Sequence, residues 1–442
     1  MMFKLKENKT NVHTEIIAGL TTFATMSYII VVQPLILQGA FPEDEREAAF
    51  GAIMMATCIA SALGTLLMGF LANYPIALAP AMGHNVFFVY VVNALGIPWY
   101  YALGGVAVSG TIFILVSVFD LRERIVRAVP TGLRNAIAAG IGLLIALLGF
   151  EWARLVVESP PPGTLIKLGS LHEKTVLLAL GGLAIMTFLM VIKVRGAILV
   201  GIIITAILGA ALDITPVPPE AKDIIGVPPS IAPTFLKLRL PGLDWGMWRN
   251  FIAVIFVFFF LDLFDTVGTL IGVSERGGFM RDGELPRAKQ ALLSDAIATV
   301  AGAGLGTSTV TSYIESTSGI TAGGRTGLAN MVTAGLFVLA MFFYPFFKMI
   351  NSVAVSPALI LVGALMMTSL KNIAWDDMTE AIPCFLTLTM MAFTFSITEG
   401  ISFGFISYAF VKLVSGRGRE VSPIVYVFSA LFVVFYVFHP LM

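Results

Sequence analysis

The sequence predicts an all-α polytopic membrane protein of fourteen transmembrane segments, built as two seven-segment halves of opposite orientation. Three observations predict it. Of the 442 residues, 57% are hydrophobic and only 12% are charged, and mean hydropathy is +0.91, whereas a soluble domain carries roughly 25% charged residues. The chain resolves into apolar runs of about the length that crosses a bilayer, roughly 20 residues each. The third run of each half is interrupted by prolines or polar residues and cannot be a continuous lipid-facing helix.

Composition also excludes several functions. Lys+Arg and Asp+Glu both number 27, so there is no electrostatic footprint for nucleic acid. Cys58 and Cys384 sit in apolar runs and read as small buried residues, with no disulfide framework or metal cluster. No Gly-x-x-x-x-Gly-Lys-Ser/Thr nucleotide loop occurs.

The segments fall at 14–37, 48–74, 75–96, 100–121, 133–153, 176–194 and 196–214, then 248–275, 288–306, 307–324, 327–347, 353–370, 378–397 and 399–415. The start, Met1 to Thr14, is polar and basic, so the first apolar run reads as a true span and not a cleaved signal. An inside N-terminus places eighteen of the 27 Lys and Arg residues on inner loops and ends, Arg122, Arg124 and Arg127 among them. That two-to-one bias predicts a multi-pass protein of the cell (inner) membrane with a cytoplasmic N-terminus. The first outer loop is acidic (Glu43, Asp44, Glu45, Glu47), and Trp99, Trp152, Trp245, Trp248 and Trp375 fall near segment ends, as an aromatic belt requires.

Segment two carries Ala56, Ala60 and Gly64 at intervals of four, and its counterpart, segment nine, carries Ser294, Ala298, Gly302 and Gly306. Such stripes let helix backbones approach closely in lipid. Segment three opens Tyr74-Pro75-Ile76-Ala77-Leu78-Ala79-Pro80-Ala81-Met82-Gly83-His84-Asn85. Two prolines five apart predict an extended stretch and then a half-helix from about Met82. The stretch Thr215–Gly246 is rich in proline. It separates seven spans from seven and is apolar enough in places to cap the outer face. Segment ten, Gly306 to Gly319, is too polar for lipid; β-branched residues at 309–311 predict a short extended stretch, with a half-helix from about Tyr313. Non-helical backbone at membrane depth is tolerated only when buried or lining a cavity, and matching interruptions in two inverted halves point to a binding site where they meet. A fifteenth apolar run, 423–438, either spans or lies against the bundle.

Segment eight supplies the site's chemistry. Asp262, Asp265, Thr266 and Thr269 recur at i, i+3, i+4 and i+7, one polar stripe on an apolar helix. An aspartate at a helix centre costs roughly 2.5–3.5 kcal/mol on insertion scales, so such groups face the bundle interior. Glu315 is a third intramembrane acid, beside the start of the second half-helix. Asn85 offers a donor and an acceptor in segment three, His84 lies next to it, and Asp295 in segment nine reads as structural. Carboxylates beside an amide suit a heterocycle with N–H and C=O edges, with Phe87 or Phe88 flanking its face. They repel anions, and an inorganic cation site wants more oxygen ligands. An acid held in low dielectric favours its protonated form, so Asp265 is expected to carry a proton with the substrate. No cofactor or metal is expected.

These residues resemble the nucleobase–cation symporter-2 family, specifically its AzgA-like purine permeases, over nearly the whole chain. The resemblance rests on Thr14 to Phe23, Leu71 to Pro80, Asp262 to Leu270, Gly306 to Gly319, and Gly323-Gly324-Arg325-Thr326-Gly327. It implies short β-strands in segments three and ten. It implies a core domain (14–121 and 248–347), a gate domain (133–214 and 353–415), a connecting loop (215–247) and an added C-terminal segment (423–438). It implies substrate between core and gate, and carries Asn85, Asp262 and Glu315 over as purine contacts. Asp265, with Thr266 and His84, is assigned to proton coupling or site support. The implied activity is proton-driven import of hypoxanthine, guanine or adenine, with sodium the less favoured coupling ion and a homodimer as a form known in the wider family. Two positions depart from the family pattern: Ala81 stands for a glycine and His84 for a leucine.

The alternatives are a uracil/xanthine carrier or an anion transporter of the same fold. Three acids argue against an anion. An intramembrane aspartyl protease shares Pro357-Ala358-Leu359 but needs its aspartates on separate helices, and its Gly-x-Gly-Asp element is missing. A channel would show no saturable, gradient-driven accumulation.

Overall fold

The computed structural model describes residues 3–119, 129–159, 166–215, 224–242, 245–281 and 285–438. Arg122, Arg124 and Arg127, used for the orientation, lie outside these, as does the Trp245 side chain. In chain order the helices are α1 (Val12–Met26), α2 (Ile29–Leu37), α3 (Arg46–Leu67), α4 (Met82–Asn93), α5 (Trp99–Val118), α6 (Thr131–Trp152), α7 (Lys174–Val191), α8 (Ala197–Ala211), α9 (Trp245–Gly277), α10 (Ala288–Leu305), α11 (Ser316–Thr321), α12 (Leu328–Ala340), α13 (Tyr344–Lys348), α14 (Ser352–Met366), α15 (Met378–Phe393), α16 (Ile397–Val414) and α17 (Pro423–Phe438). The strands are β1 (Leu78–Pro80), β2 (Val156–Glu158), β3 (Ile166–Leu168) and β4 (Val310–Ser312).

Among the described residues, nine helices are long and apolar enough to cross a membrane, and three more apolar helices are shorter. Every apolar segment of the sequence falls on one of these helices, on α10, or on one of two strand-plus-half-helix units. The units are β1–α4 and β4–α11, and their strands pair antiparallel, with Leu78 opposite Ser312, Ala79 opposite Thr311 and Pro80 opposite Val310. Two interrupted segments from opposite halves thus satisfy each other's backbone, which lipid could not do. The prolines explain why segment three unwinds: Pro75 and Pro80 lack the N–H that a helix needs, and the backbone groups between them are taken up elsewhere. Asn330 Nδ2, for example, reaches the carbonyls of Thr65, Tyr74 and Ile76 at 3.1, 3.0 and 2.9 Å.

One expectation needs correcting. The half-helix of segment ten starts at Ser316, not Tyr313, and has only six residues. Tyr313 instead continues the ladder, its N–H donating to Ala77 O at 2.9 Å. Segment one spans as expected, within Val12–Ala40, with a local break in its helix at Ser27–Tyr28 between α1 and α2.

The chain divides into two compact units, Met1–Val118 with Phe150–Ala358, and Phe119–Gly149 with Leu359–Met442. In the first, the small-residue stripes of segments two and ten's neighbour, segment nine, meet: a Cβ on Gly64 would lie 2.9 Å from Ala298 Cβ. Ala60, Leu78, Ala298 and Val310 join one buried apolar cluster there. The connecting stretch, where described, lies over segment ends, with Leu236 N–H donating to Gly304 O at 2.7 Å and Arg239 N–H to Tyr100 O at 2.9 Å. Segments six and seven group with this unit, Gly196 resting against Ala24 and Gly182 against Pro357.

In the second unit, α17 runs antiparallel along α16. Tyr426 OH donates to Gly418 O at 2.9 Å near one end, and Ser429 Oγ to Phe405 O at 2.8 Å midway. Tyr436 OH donates to Glu399, in the first turn of α16, at the other end. The 423–438 run therefore covers a neighbouring helix over most of its length.

Candidate functional site

The site grows from the short strand β4. Thr311 and Ser312 within it, and Thr307, Ser308 and Tyr313 beside it, bond polar groups from other segments. At its leading end Ser308 donates to Asn85 Oδ1, and the Asn85 amide donates to Gln33 Oε1. Gln33 Nε2 in turn donates to Thr307 Oγ1 at 2.8 Å and to Ser308 Oγ at 3.3 Å. Segments one, three and ten are laced together by amides and hydroxyls, which can each donate and accept.

In the strand itself, Thr311 Oγ1 donates to Asp265 Oδ2 at 3.4 Å. Ser312 offers both its N–H and its hydroxyl to Asp295 Oδ2, at 3.0 and 3.2 Å. Thr266 Oγ1 sits 3.1 Å from Asp295 Oδ1 and 3.2 Å from Asp262 Oδ1, so its single proton serves two buried carboxylates. Just past the strand, Glu315 occupies the residue before α11, and the Tyr28 hydroxyl donates to its Oε1 at 2.6 Å. Tyr313 OH donates to Pro80 O at 2.6 Å, closing β4 onto β1.

The predicted residues separate into two layers. Asp265 and Glu315 are partly exposed. Asp262, Thr266 and Asn85 are 0% exposed and His84 1%. The helical stripe explains the split, because positions 262 and 266 share a face towards Asp295, while 265 is turned towards β4. His84 lies in the first turn of α4, and its Nε2 has no hydrogen-bond partner among the described residues. Phe87 and Phe88 do not offer an open ring face: Phe87 packs edge-on against Phe258 with centroids 4.8 Å apart, and both are buried.

Sequence reading missed Tyr28, Gln33, Ser308 and Thr311. Gln33 carries a readable signal, a lone amide in Ile-Ile-Val-Val-Gln-Pro-Leu-Ile-Leu. Tyr28 carries none, since tyrosine is common near membrane interfaces. Asp295 accepts from both Ser312 and Thr266.

The arrangement brings two partly exposed acids, Asp265 of α9 and Glu315 just past β4, beside the paired strands, and a carboxylate there can accept from a ligand's N–H groups. Comparison with known proteins agrees in kind. Residues 13–411 match the Permease family (Xan_ur_permease). The chain is 43% identical over 442 residues to the guanine/hypoxanthine permease PbuG of Bacillus subtilis, covering 99% of each. It is 41% identical over 440 residues to the adenine permease AdeP of Escherichia coli, covering 99% of this chain and 95% of that one. Among solved structures, the transmembrane domain of a cyanobacterial bicarbonate transporter, BicA, superposes with a TM-score of 0.63 at 15% identity, covering 89% of this chain and 97% of that one. At that identity the likeness is one of fold, the seven-plus-seven inverted repeat.

Proposed function

The chain belongs to the Permease family, and from that premise we propose that it imports purine nucleobases (guanine, hypoxanthine or adenine) by proton symport. The observation that carries this reading is the pair of partly exposed carboxylates, Asp265 and Glu315, at the crossing of β1 and β4. A purine offers N–H groups that a carboxylate accepts well, since hydrogen bonds to an ionised group are about twice as strong as neutral ones. An anion at the same place would meet like charge.

In this reading Glu315 accepts purine N–H groups and Asp265 takes up the coupled proton. Asn85 and Asp262 complete the contacts once the wall opens, being fully buried in the conformation described. Thr266 and His84 support the site from behind. Transport follows an alternating-access cycle in which segments 1–4 and 8–11 move against 5–7 and 12–14. The N-terminus lies in the cytoplasm and the protein in the cell membrane. The proton gradient alone supplies the energy, with no cofactor, and a homodimer is the working form. The chain carries out transport, not catalysis.

The test is uptake of labelled hypoxanthine, guanine and adenine into proteoliposomes under an inward proton gradient, with choline replacing sodium. Unlabelled uracil, xanthine and sulfate serve as competitors. Saturable purine uptake that vanishes with the gradient supports the reading. No purine accumulation, with labelled uracil, xanthine or sulfate transported instead, would overturn the reading.

A further inference from the structure

The break in segment one, at Ser27–Tyr28, lies against the site. Thr25 Oγ1, just before the break, lies 3.4 Å from the backbone carbonyl of Glu315. Tyr28, at the break itself, is 1% exposed and donates to Glu315 Oε1 at 2.6 Å. Tyr28 occupies the N-cap position of α2 but makes no cap bond, so its side chain is used entirely across the segment boundary. The support behind it is firm. α1 packs on α11 so closely that a Cβ on Gly319 would lie 2.1 Å from Thr22 Oγ1. Glu315 itself is partly exposed. A buried phenol thus holds the carboxylate of a partly exposed residue.

We propose that Tyr28 is a positioning residue for substrate recognition: its hydroxyl commits one oxygen of Glu315, fixes the carboxylate's direction and so aims the other oxygen at the ligand. The proposal rests on the purine reading of the site. A hydroxyl suits the task better than a lysine or an amide N–H. It donates to an ionised carboxylate and can rotate to accept from a protonated one. The grip therefore persists whichever protonation state Glu315 passes through, and no charge is added beside Asp265. Pre-setting one side chain removes the rotamer entropy otherwise lost on binding.

The experiment is Tyr28→Phe, which deletes one oxygen and keeps the ring. Hypoxanthine uptake is measured in proteoliposomes, and melting of the purified protein without ligand is measured in parallel. The expected result is a KM raised about tenfold, the size of one hydrogen bond to a charged group. Maximal rate should stay within about threefold, and the melting temperature within about 2 °C. In a Glu315→Ala background, equilibrium binding of labelled hypoxanthine should respond to Tyr28→Phe by less than about twofold, because the coupled partner is gone. An unchanged KM overturns the proposal. So does a raised KM accompanied by a melting temperature lowered by more than about 5 °C, which marks the hydroxyl as structural only. Absence of purine uptake by the unaltered protein defeats the purine reading and this proposal together; normal uptake with an unchanged Tyr28→Phe variant defeats this proposal alone.

Discussion

Four carboxylates crowd around one three-residue strand, and their surroundings give them different work. Asp295 and Asp262 lie in the buried layer, bridged by Thr266, whereas Asp265 and Glu315 are partly exposed. Asp265→Asn keeps shape and hydrogen bonding but can no longer exchange a proton. Purine accumulation under a gradient should fall at least about tenfold while purine-for-purine exchange continues, since only the proton-linked step is lost. Loss of both activities would place Asp265 in binding instead. Asp295→Ala should act through stability. It strands the Ser312 N–H and hydroxyl below the strand, at about 1–3 kcal/mol for each buried unsatisfied group, and a lowered melting temperature would record it. Sequence spacing put Asp262, Asp265 and Thr266 on one stripe, but could not say that this stripe splits, because the dividing partners are distant: Asp295 lies 29 residues from Thr266 and Thr311 lies 46 from Asp265.

The elements show the same limit at larger scale. Length and hydropathy place every span, and prolines place the break in segment three, because those signals are local. The start of α11 and the break at Ser27–Tyr28 depend on pairing with distant chain. Tyr313 stays extended because Ala77 O is there to accept its N–H. Helix ends behave likewise. Glu15 in α1 is buried, and its carboxylate accepts the N–H groups of Arg325, Thr326 and Ala329 at 2.9, 3.3 and 3.2 Å. It thereby caps the start of α12, where a negative charge is favoured. Glu15→Ala should cost about 2 kcal/mol or more and lower the melting temperature further than Glu15→Gln, which retains one acceptor. At the start of α15, Asp377 accepts from Thr379 N–H and Oγ1 at 2.9 and 2.7 Å and pairs with Arg417 at 2.7 Å. The Thr379 hydroxyl first, and then Arg417, hold its carboxyl well below the usual carboxylate range. A depressed folded-state value stabilises above the unfolded value, about 3.9, and is lost as pH falls through the folded value. Melting temperature should therefore decline on acidification below about pH 4, and less steeply in Asp377→Asn, which keeps the cap but not the charge. Equal slopes would remove Asp377 from the acid response.

Across the molecule, the inverted repeat turns two local defects into one feature. A proline-broken segment and a hydroxyl-rich segment are each unfit for lipid alone, and pairing β1 with β4 makes both tolerable. Each strand's backbone is met on one side by the other half and on the other by a threonine of its own half, Thr65 at Leu78 and Thr299 at Val310. The 423–438 run adds to the second unit without joining that site, for its rings pack on Phe405 and its Tyr436 bonds Glu399. Its apolar character was legible in the sequence, but its partner was not, since hydropathy alone does not distinguish lipid from a neighbouring helix.

The claim that joins these scales is that a purine and a proton move together through the Asp265–Glu315 pair. It is tested most directly by adding hypoxanthine outside proteoliposomes that hold a pH-sensitive dye and have no imposed gradient. The account predicts internal acidification that tracks purine entry, saturates with it, and is abolished in Asp265→Asn. Purine entry with no change in internal pH would contradict it.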